Sequence, residues 1–129
     1  MTGTGDVLVV DDDPDMVDAI TMVLDQGHYP CRSAENGREA LEQVERRRPA
    51  LILLDMLMPV MDGWQFAREL RARFGRTVPV VVVTAAEHVR TRGDDIEADA
   101  VVSKPFNVNT LLQVVARYLP EVGASQPAP

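Results

Sequence analysis

Short apolar runs alternate along this chain with stretches in which apolar residues recur at helical spacing. Three runs are strongly apolar, namely Asp6–Val10, Ala50–Leu54 and Val78–Val83. Such runs are typical of central parallel strands, which are buried on both faces of a sheet. Two weaker runs, His28–Ser33 and Ala100–Ser103, predict two further strands. The pattern therefore predicts five strands in all.

The helical stretches between these runs carry recognisable start and stop signals. Asp13-Pro14 supplies an N-cap residue followed by proline at the first helical position, and Gly27 ends that helix. Asn36-Gly37 is predicted as a turn before a second helix, and Asp62-Gly63 opens a third. Glu87–Ile96 predicts a poor fourth helix, because it contains few apolar residues. Periodic apolar residues mark the fifth: Leu111, Leu112, Val115 and Leu119.

Five strand–helix units in succession predict an α/β fold, a doubly wound sandwich in which helices cover both faces of a parallel sheet. Ligands of such sheets bind outside the carboxyl ends of the strands. We therefore expect the functional residues directly after the strands.

The overall composition agrees with one globular domain. The chain has 129 residues, and we expect a domain over residues 1–120 and a flexible tail or truncated linker over 121–129. A net charge of −7 makes direct binding of nucleic acid unfavourable, and no apolar run is long enough to span a membrane. The lone Cys31 excludes an internal disulfide, which favours a cytoplasmic location.

Polar residues directly follow four of the predicted strands. Because the carboxyl ends of parallel strands meet at one edge of the sheet, we expect these side chains to converge. The residues are Asp11, Asp12, Asp13, Asp55, Thr84 and Lys104.

The chemistry of this set points to phosphoryl transfer. Crowded carboxylates repel one another, and a hard divalent cation relieves that repulsion, with Mg²⁺ the first choice and Mn²⁺ the second. The hydroxyl of Thr84 and the ammonium of Lys104 suit the oxygens of a phosphoryl group, while one carboxylate is free to act as the nucleophile. Asp13 is predicted as a helix N-cap.

The motifs resemble those of the receiver domains of two-component response regulators. The similarity extends over residues 6–119 and rests on the combination of the pieces, not on any single one. The resemblance implies a flavodoxin-like sheet with strand order 2-1-3-4-5. The pieces are Leu8–Asp15, Leu53–Pro59 with Asp62-Gly63, Val82–Ala85 and Lys104–Phe106.

The resemblance also implies a role for each residue. Asp55 would accept the phosphoryl group, Thr84 would bind it and move on activation, and Lys104 would pair with one of its oxygens. The Lys104–Pro105 peptide bond is a candidate for the cis form. Asp12 would bind Mg²⁺ directly and Asp11 mainly through water, and the further ligands would be Asp55 and the backbone carbonyl of Leu57.

The family implies protein partners as well. The phosphodonor would be a sensor histidine kinase or a phosphotransfer protein, and output would pass through a changed protein-interaction surface to an unknown protein partner. The chain would assist its own phosphorylation and dephosphorylation without being an enzyme in its own right. Two departures affect output: Val101 stands where the family commonly has an aromatic residue, and Glu87–Ile96 is a weak helix.

Two other functions stay open on the sequence. Asp11 and Asp13 have the spacing of a Mg²⁺-dependent phosphatase with an aspartyl nucleophile, although Asp15 stands where such enzymes have threonine. The second is a receiver-like module with altered or phosphorylation-independent output, which the missing aromatic residue favours. Turnover of small phosphoesters would indicate the phosphatase, and a lack of response to a phosphoryl analogue would indicate the module.

Overall fold

The computed structural model describes residues 6–55, 61–75, 77–85, 98–104 and 106–119. Within these ranges the strands are β1 Val7–Val10, β2 Cys31–Ala34, β3 Leu51–Leu54, β4 Val80–Ala85 and β5 Ala100–Lys104. They form one parallel sheet in the order β2-β1-β3-β4-β5. The predicted α/β fold and strand order are therefore confirmed. No helix in these ranges has the length and apolar character needed to cross a membrane.

Four helices occupy the described ranges: α1 Pro14–Gln26, α2 Gly37–Arg46, α3 Gly63–Phe74 and α4 Val108–Tyr118. The side chains of Asp13, Asn36 and Asp62 each accept a hydrogen bond from a backbone N–H in the first turn that follows. These bonds satisfy donors that a helix leaves unpaired at its start. The turn predicted at Asn36-Gly37 is instead the N-cap and first residue of α2. The helix predicted over Glu87–Ile96 lies outside the described residues.

The core has two halves, one on each face of the sheet. Along β3, Ile52 and Leu54 pack with α2 and α3, whereas Leu51 and Leu53 pack with α1 and α4. All four side chains are buried. Because helices cover both faces, every position of a central strand is apolar, which explains the continuous runs in the sequence.

The second strand starts later than its apolar run predicted. β2 begins at Cys31, whereas the prediction began at His28. The φ of His28 is 63°, and the amide of Tyr29 donates a hydrogen bond of 2.9 Å to the carbonyl of Leu24. These residues complete the end of α1, and a positive φ is incompatible with an extended strand.

A buried carboxylate at the start of β1 is paired with two arginines. Oδ2 of Asp6 lies 2.7 Å from Nε of Arg32 and 3.1 Å from a terminal nitrogen of Arg47. The Arg32 guanidinium also donates to the carbonyl of Gln43 at 3.2 Å and to the carbonyl of Arg47. The network ties β1 and β2 to the end of α2, and the sequence analysis did not anticipate it.

We expect Arg32→Met to destabilise the fold by about 2–4 kcal/mol. The substitution leaves the Asp6 carboxylate, which is 6% exposed, with Arg47, whose side chain is 58% exposed. Urea unfolding measures the loss. Arg38→Met, which removes an exposed arginine from α2, is the control and should change stability by less than about 0.5 kcal/mol. Equal losses in the two variants would show that the network contributes nothing.

Candidate functional site

Two carboxylates are placed side by side by the pairing of the central strands. Val10 of β1 pairs with Leu54 of β3, so Asp11 and Asp55 follow at equivalent positions. The Asp55 amide donates to the carbonyl of Val10 at 2.9 Å, and the Asp11 amide donates to the carbonyl of Ala34 at 3.1 Å. The ladder thus extends one residue beyond the strands, and backbone hydrogen bonds hold both residues at the same edge.

Three acidic side chains converge at this edge. One oxygen from each of Asp11, Asp12 and Asp55 lies within 4.8 Å of the others. Asp11 is buried, Asp55 is largely buried, and Asp12 is exposed, so the cluster opens towards solvent on one side. Asp13 has turned away to cap α1 and accepts the Asp15 amide at 3.0 Å, as predicted. The donor set consists of carboxylate oxygens alone, which fits a hard divalent cation.

Lys104 brings the only ammonium of a side chain in the sequence into this cluster. Its Nζ lies 3.4 Å from Oδ2 of Asp11 and 3.6 Å from Oδ1 of Asp55. Lys104 ends β5, which is separated from β3 by β4, so its side chain must extend across β4. The flexible four-carbon stem of lysine allows that reach. One positive charge consequently faces two of the three carboxylates.

Ionisation of the buried Asp11 carboxyl is unfavourable. Burial raises the pKa of the Asp11 carboxyl above its ordinary value. The hydrogen bond from the Asp13 amide and the charge of Lys104 lower the pKa, but burial outweighs them, and the neighbouring Asp12 adds to the rise. An additional cation at this edge would therefore relieve an unfavourable negative charge.

Thr84 lies near the end of β4. In the strand register it is one residue beyond the β4 position that is level with Asp55. The pairs Leu54–Val82 and Thr84–Ser103 give this register. The Thr84 side chain is buried, and within the described ranges it makes no hydrogen bond to the acidic cluster. The structure thus brings Asp11, Asp12, Asp55 and Lys104 together and leaves Thr84 beside them. Leu57 and Pro105 lie outside the described residues.

An open cleft of about 280 Å³ adjoins the cluster on the side of α1 and β2. Asp11 and Asp12 line it together with Ser33, Glu35 and Glu39. The last three residues were not predicted from the sequence. The signal for them was the predicted end of the second strand, which the strand order places next to β1.

Comparison with protein families and known relatives agrees with this geometry. The family model described as the response regulator receiver domain matches residues 7–116. The response regulator MprA of Mycolicibacterium vanbaalenii is 36% identical over 128 residues. That alignment covers 95% of this chain and 55% of the relative, so the chain spans about half the length of the curated relatives it matches.

Solved structures with the same fold include two receiver domains. The receiver domain of NtrX from Brucella abortus has a TM-score of 0.82 at 28% identity, with 89% of this chain and 98% of that chain covered. The receiver domain of the sensor histidine kinase PA1611 from Pseudomonas aeruginosa has a TM-score of 0.80 at 27% identity, with 93% and 99% covered. In the PA1611 structure a magnesium ion is coordinated in the active site cleft.

Proposed function

The chain belongs to the response regulator receiver domain family, and from that premise we propose that Asp55 is the residue that accepts the phosphoryl group. The supporting observation is the convergence of three carboxylates and one ammonium at the carboxyl edge of the sheet. Among the three, Asp11 is buried and bonded to the Asp13 amide, and Asp12 forms no ion pair with Lys104 among the described residues. Asp55 combines partial exposure with that ion pair.

The proposed reaction is a direct transfer to the Asp55 carboxylate. One carboxylate oxygen attacks the phosphorus of a phosphohistidine, a phosphorus–oxygen bond forms, and the phosphorus–nitrogen bond to the imidazole breaks. The nitrogen of the departing imidazole keeps the bonding electron pair and takes up a proton from solvent water. The Lys104 ammonium, 3.6 Å from the Asp55 carboxylate, reduces the repulsion between the two anions as they approach.

We propose Asp11, Asp12 and Asp55 as side-chain ligands of Mg²⁺, with Mn²⁺ as a substitute. Three carboxylate oxygens within 4.8 Å of one another and a raised pKa at Asp11 support this assignment. Such an ion, when bound, supplies positive charge against the phosphoryl oxygens. The backbone carbonyl of Leu57 is the further ligand that the family resemblance adds to the proposal.

Thr84 is proposed to bind a phosphoryl oxygen through its hydroxyl. Its place near the end of β4, one register step beyond Asp55, supports this role. Val101, which is half-buried against the core beside α2 and α3, cannot perform the swing of an aromatic side chain. We therefore propose that phosphorylation is coupled to the protein-interaction surface by residues other than a pair of threonine and aromatic side chains.

The proposed donor is a sensor histidine kinase or a phosphotransfer protein, and the proposed output partner is another protein. The net charge of −7 supports a partner other than nucleic acid. We propose that residues 1–120 make up the receiver domain, and that 121–129 form a tail or a linker. A single cysteine supports a reducing, cytoplasmic location. In this proposal the chain assists its own phosphorylation and is not otherwise an enzyme.

The geometry disfavours the phosphatase alternative. That reading requires Asp11 as the nucleophile, but Asp11 is 3% exposed and its two oxygens face the Asp13 amide and the Lys104 ammonium. The Asp11 carboxylate is therefore less accessible to an incoming phosphoester than the Asp55 carboxylate, whose side chain is 12% exposed. The phosphate-independent module is tested by the same labelling experiments as the receiver.

Lys104→Met tests the proposal directly. We expect the rate of Asp55 labelling by a small acyl phosphate in the presence of Mg²⁺ to fall by about 100-fold, because one charged donor is lost. Time-resolved intact-mass measurements give the rate. Arg117→Met, which removes an exposed cation from the last turn of α4, should leave the rate unchanged. An unchanged rate in Lys104→Met would show that the ammonium has no role in the reaction.

A further inference from the structure

Gly37, the first residue of α2, makes an unusually close contact with Met61, the residue before the N-cap of α3. Its amide donates a hydrogen bond of 3.1 Å to the carbonyl oxygen of Met61. A Cβ atom on Gly37 would lie 2.8 Å from that same oxygen and 2.8 Å from Cγ of Met61. Real Cβ atoms do not approach other heavy atoms so closely, and a backbone oxygen cannot swing aside as the end of a side chain can. Only glycine permits this separation.

Helix formation does not account for glycine at this position. Glycine is among the poorest helix formers, and alanine would suit a helical residue better. Gly37 neither has a positive φ nor lies in an exposed turn. It is buried, and among the described glycines the positive φ is that of Gly75. The requirement at Gly37 is therefore space for the Met61 backbone.

The contact joins the start of α2 to the start of α3. Met61 is bonded to Gly37 and directly precedes Asp62, the N-cap of α3. The distance between the first turn of α2 and Met61 is thus set by the Gly37–Met61 pair.

The same turn of α2 also forms one wall of the cleft beside the acidic cluster. Glu35 and Glu39, which flank Gly37, line that cleft together with Asp11 and Asp12. The Oε1 of Glu39 accepts the amide of Glu35 at 3.0 Å, so this turn behaves as one unit. A displacement at Gly37 would accordingly move this wall of the cleft.

We propose that Gly37 is a positioning residue, which sets the separation between the first turn of α2 and Met61 and thereby the position of the cleft wall beside the proposed cation and phosphoryl site. The inference rests on the function proposed above. It assigns Gly37 no contact with a phosphoryl group or an ion. Its effect passes through Met61 on one side and through Glu35 and Glu39 on the other.

The chain offers a matched control in Gly27. A Cβ atom there would lie 2.6 Å from a ring carbon of Tyr29 and 2.9 Å from a terminal carbon of Leu112, so the position is equally crowded. Gly27 caps the end of α1, a helix of 13 residues that begins beside the acidic cluster. At 1.5 Å per residue, that end lies about 20 Å from the cluster.

The experiment compares Gly37→Ala with Gly27→Ala in three measurements. These are the melting temperature without metal, the Kd of Mg²⁺ from its effect on melting temperature, and the initial rate of labelling by acyl phosphate. We expect both variants to melt at a lower temperature. Only Gly37→Ala should raise the Kd and lower the rate, each by about fivefold or more.

The outcomes separate this inference from the proposed function. If the unaltered protein takes no label, the proposed function fails. If the unaltered protein is labelled but Gly37→Ala matches it in Kd and rate, or if both variants lose rate in proportion to melting temperature, the positioning role is overturned.

A measurement on the unaltered protein covers the case in which Gly37→Ala does not fold. Coupling is reciprocal, so adding Mg²⁺ and beryllium fluoride should slow hydrogen exchange at the Gly37 amide. The slowing should exceed that at the Gly27 amide, which is bonded within the end of α1 and reports the general gain in stability. Equal slowing at both amides would refute the coupling.

Discussion

Asp55→Asn is expected to reduce phosphorylation of this chain by more than about 100-fold, to the background level. The amide has nearly the same shape as the carboxylate, but it lacks a negatively charged oxygen that can attack phosphorus. Replacing one of three crowded carboxylates also removes repulsion, so the variant should fold normally. The gain of one phosphoryl group, measured by intact-mass spectrometry after incubation with acyl phosphate and Mg²⁺, gives the result.

Asp62→Asn is the matched control for this substitution. Asp62 is the N-cap of α3 and lies seven residues further along the chain, and asparagine is as good an N-cap as aspartate. The control should be labelled as fast as the unaltered protein. Labelling of Asp55→Asn to the normal extent would move the phosphoacceptor to another residue, which peptide mapping would identify.

Removal of divalent cations is expected to slow phosphorylation by about 100-fold or more, because several kcal/mol of charge stabilisation are lost. The same removal should lower stability. An ion present at ten times its Kd stabilises the fold by about 1.4 kcal/mol, or about 5 °C in melting temperature for a domain of this size. Chelation followed by addition of Mg²⁺, Mn²⁺ or Ca²⁺ measures both effects.

Asp11→Asn is expected to change both the stability of the metal-free protein and the stabilisation of the protein by Mg²⁺. Burial raises the folded-state pKa of Asp11, so the folded protein holds this proton more tightly than the unfolded chain does. The group therefore favours folding below the ordinary carboxyl pKa, and this contribution disappears as the pH rises through the folded-state pKa. At pH 7 the metal-free protein consequently carries a buried carboxylate that opposes folding.

Without metal at pH 7, the melting temperature of the variant should therefore be about 2–5 °C higher than that of the unaltered protein. The rise in melting temperature on adding Mg²⁺ should be smaller in the variant. The difference in the metal-free state should shrink as the pH falls through the raised folded-state pKa of Asp11, because the carboxyl then becomes protonated in the unaltered protein. A variant that melts lower at pH 7, or gains as much from Mg²⁺, would contradict the assignment of Asp11. Asp13→Asn, which preserves the N-cap of α1, is the control.

The predictions for the fold succeeded where the signal was local. Continuous apolar runs identified β1, β3 and β4, and the caps at Asp13 and Asp62 identified the starts of α1 and α3. Each of these signals involves residues within a few positions of one another. β2 was misplaced by three residues at its start, because its apolar run includes Tyr29, which is buried as part of the end of α1 and not as part of a strand.

The candidate site was predictable as a list of residues but not as an arrangement. The rule that ligands bind at the carboxyl ends of parallel strands selected Asp11, Asp55 and Lys104. It did not give which carboxylates Lys104 contacts, nor which acidic residue is most buried. Glu35 and Glu39 were missed because no functional residue was expected after the weaker second strand, although the predicted strand order placed its end beside β1.

The amino-acid sequence by itself determined the order of strands and helices, the helix caps and the chemical character of the sheet edge, because periodicity and capping act over three or four residues. Tertiary structure alone decided that the Lys104 ammonium lies between carboxylates 93 and 49 positions earlier in the chain. It also decided that Asp6 is paired with Arg32 and that Gly37 touches Met61. These contacts depend on the register of the strands and the packing of helices against the sheet, which no short stretch of sequence specifies.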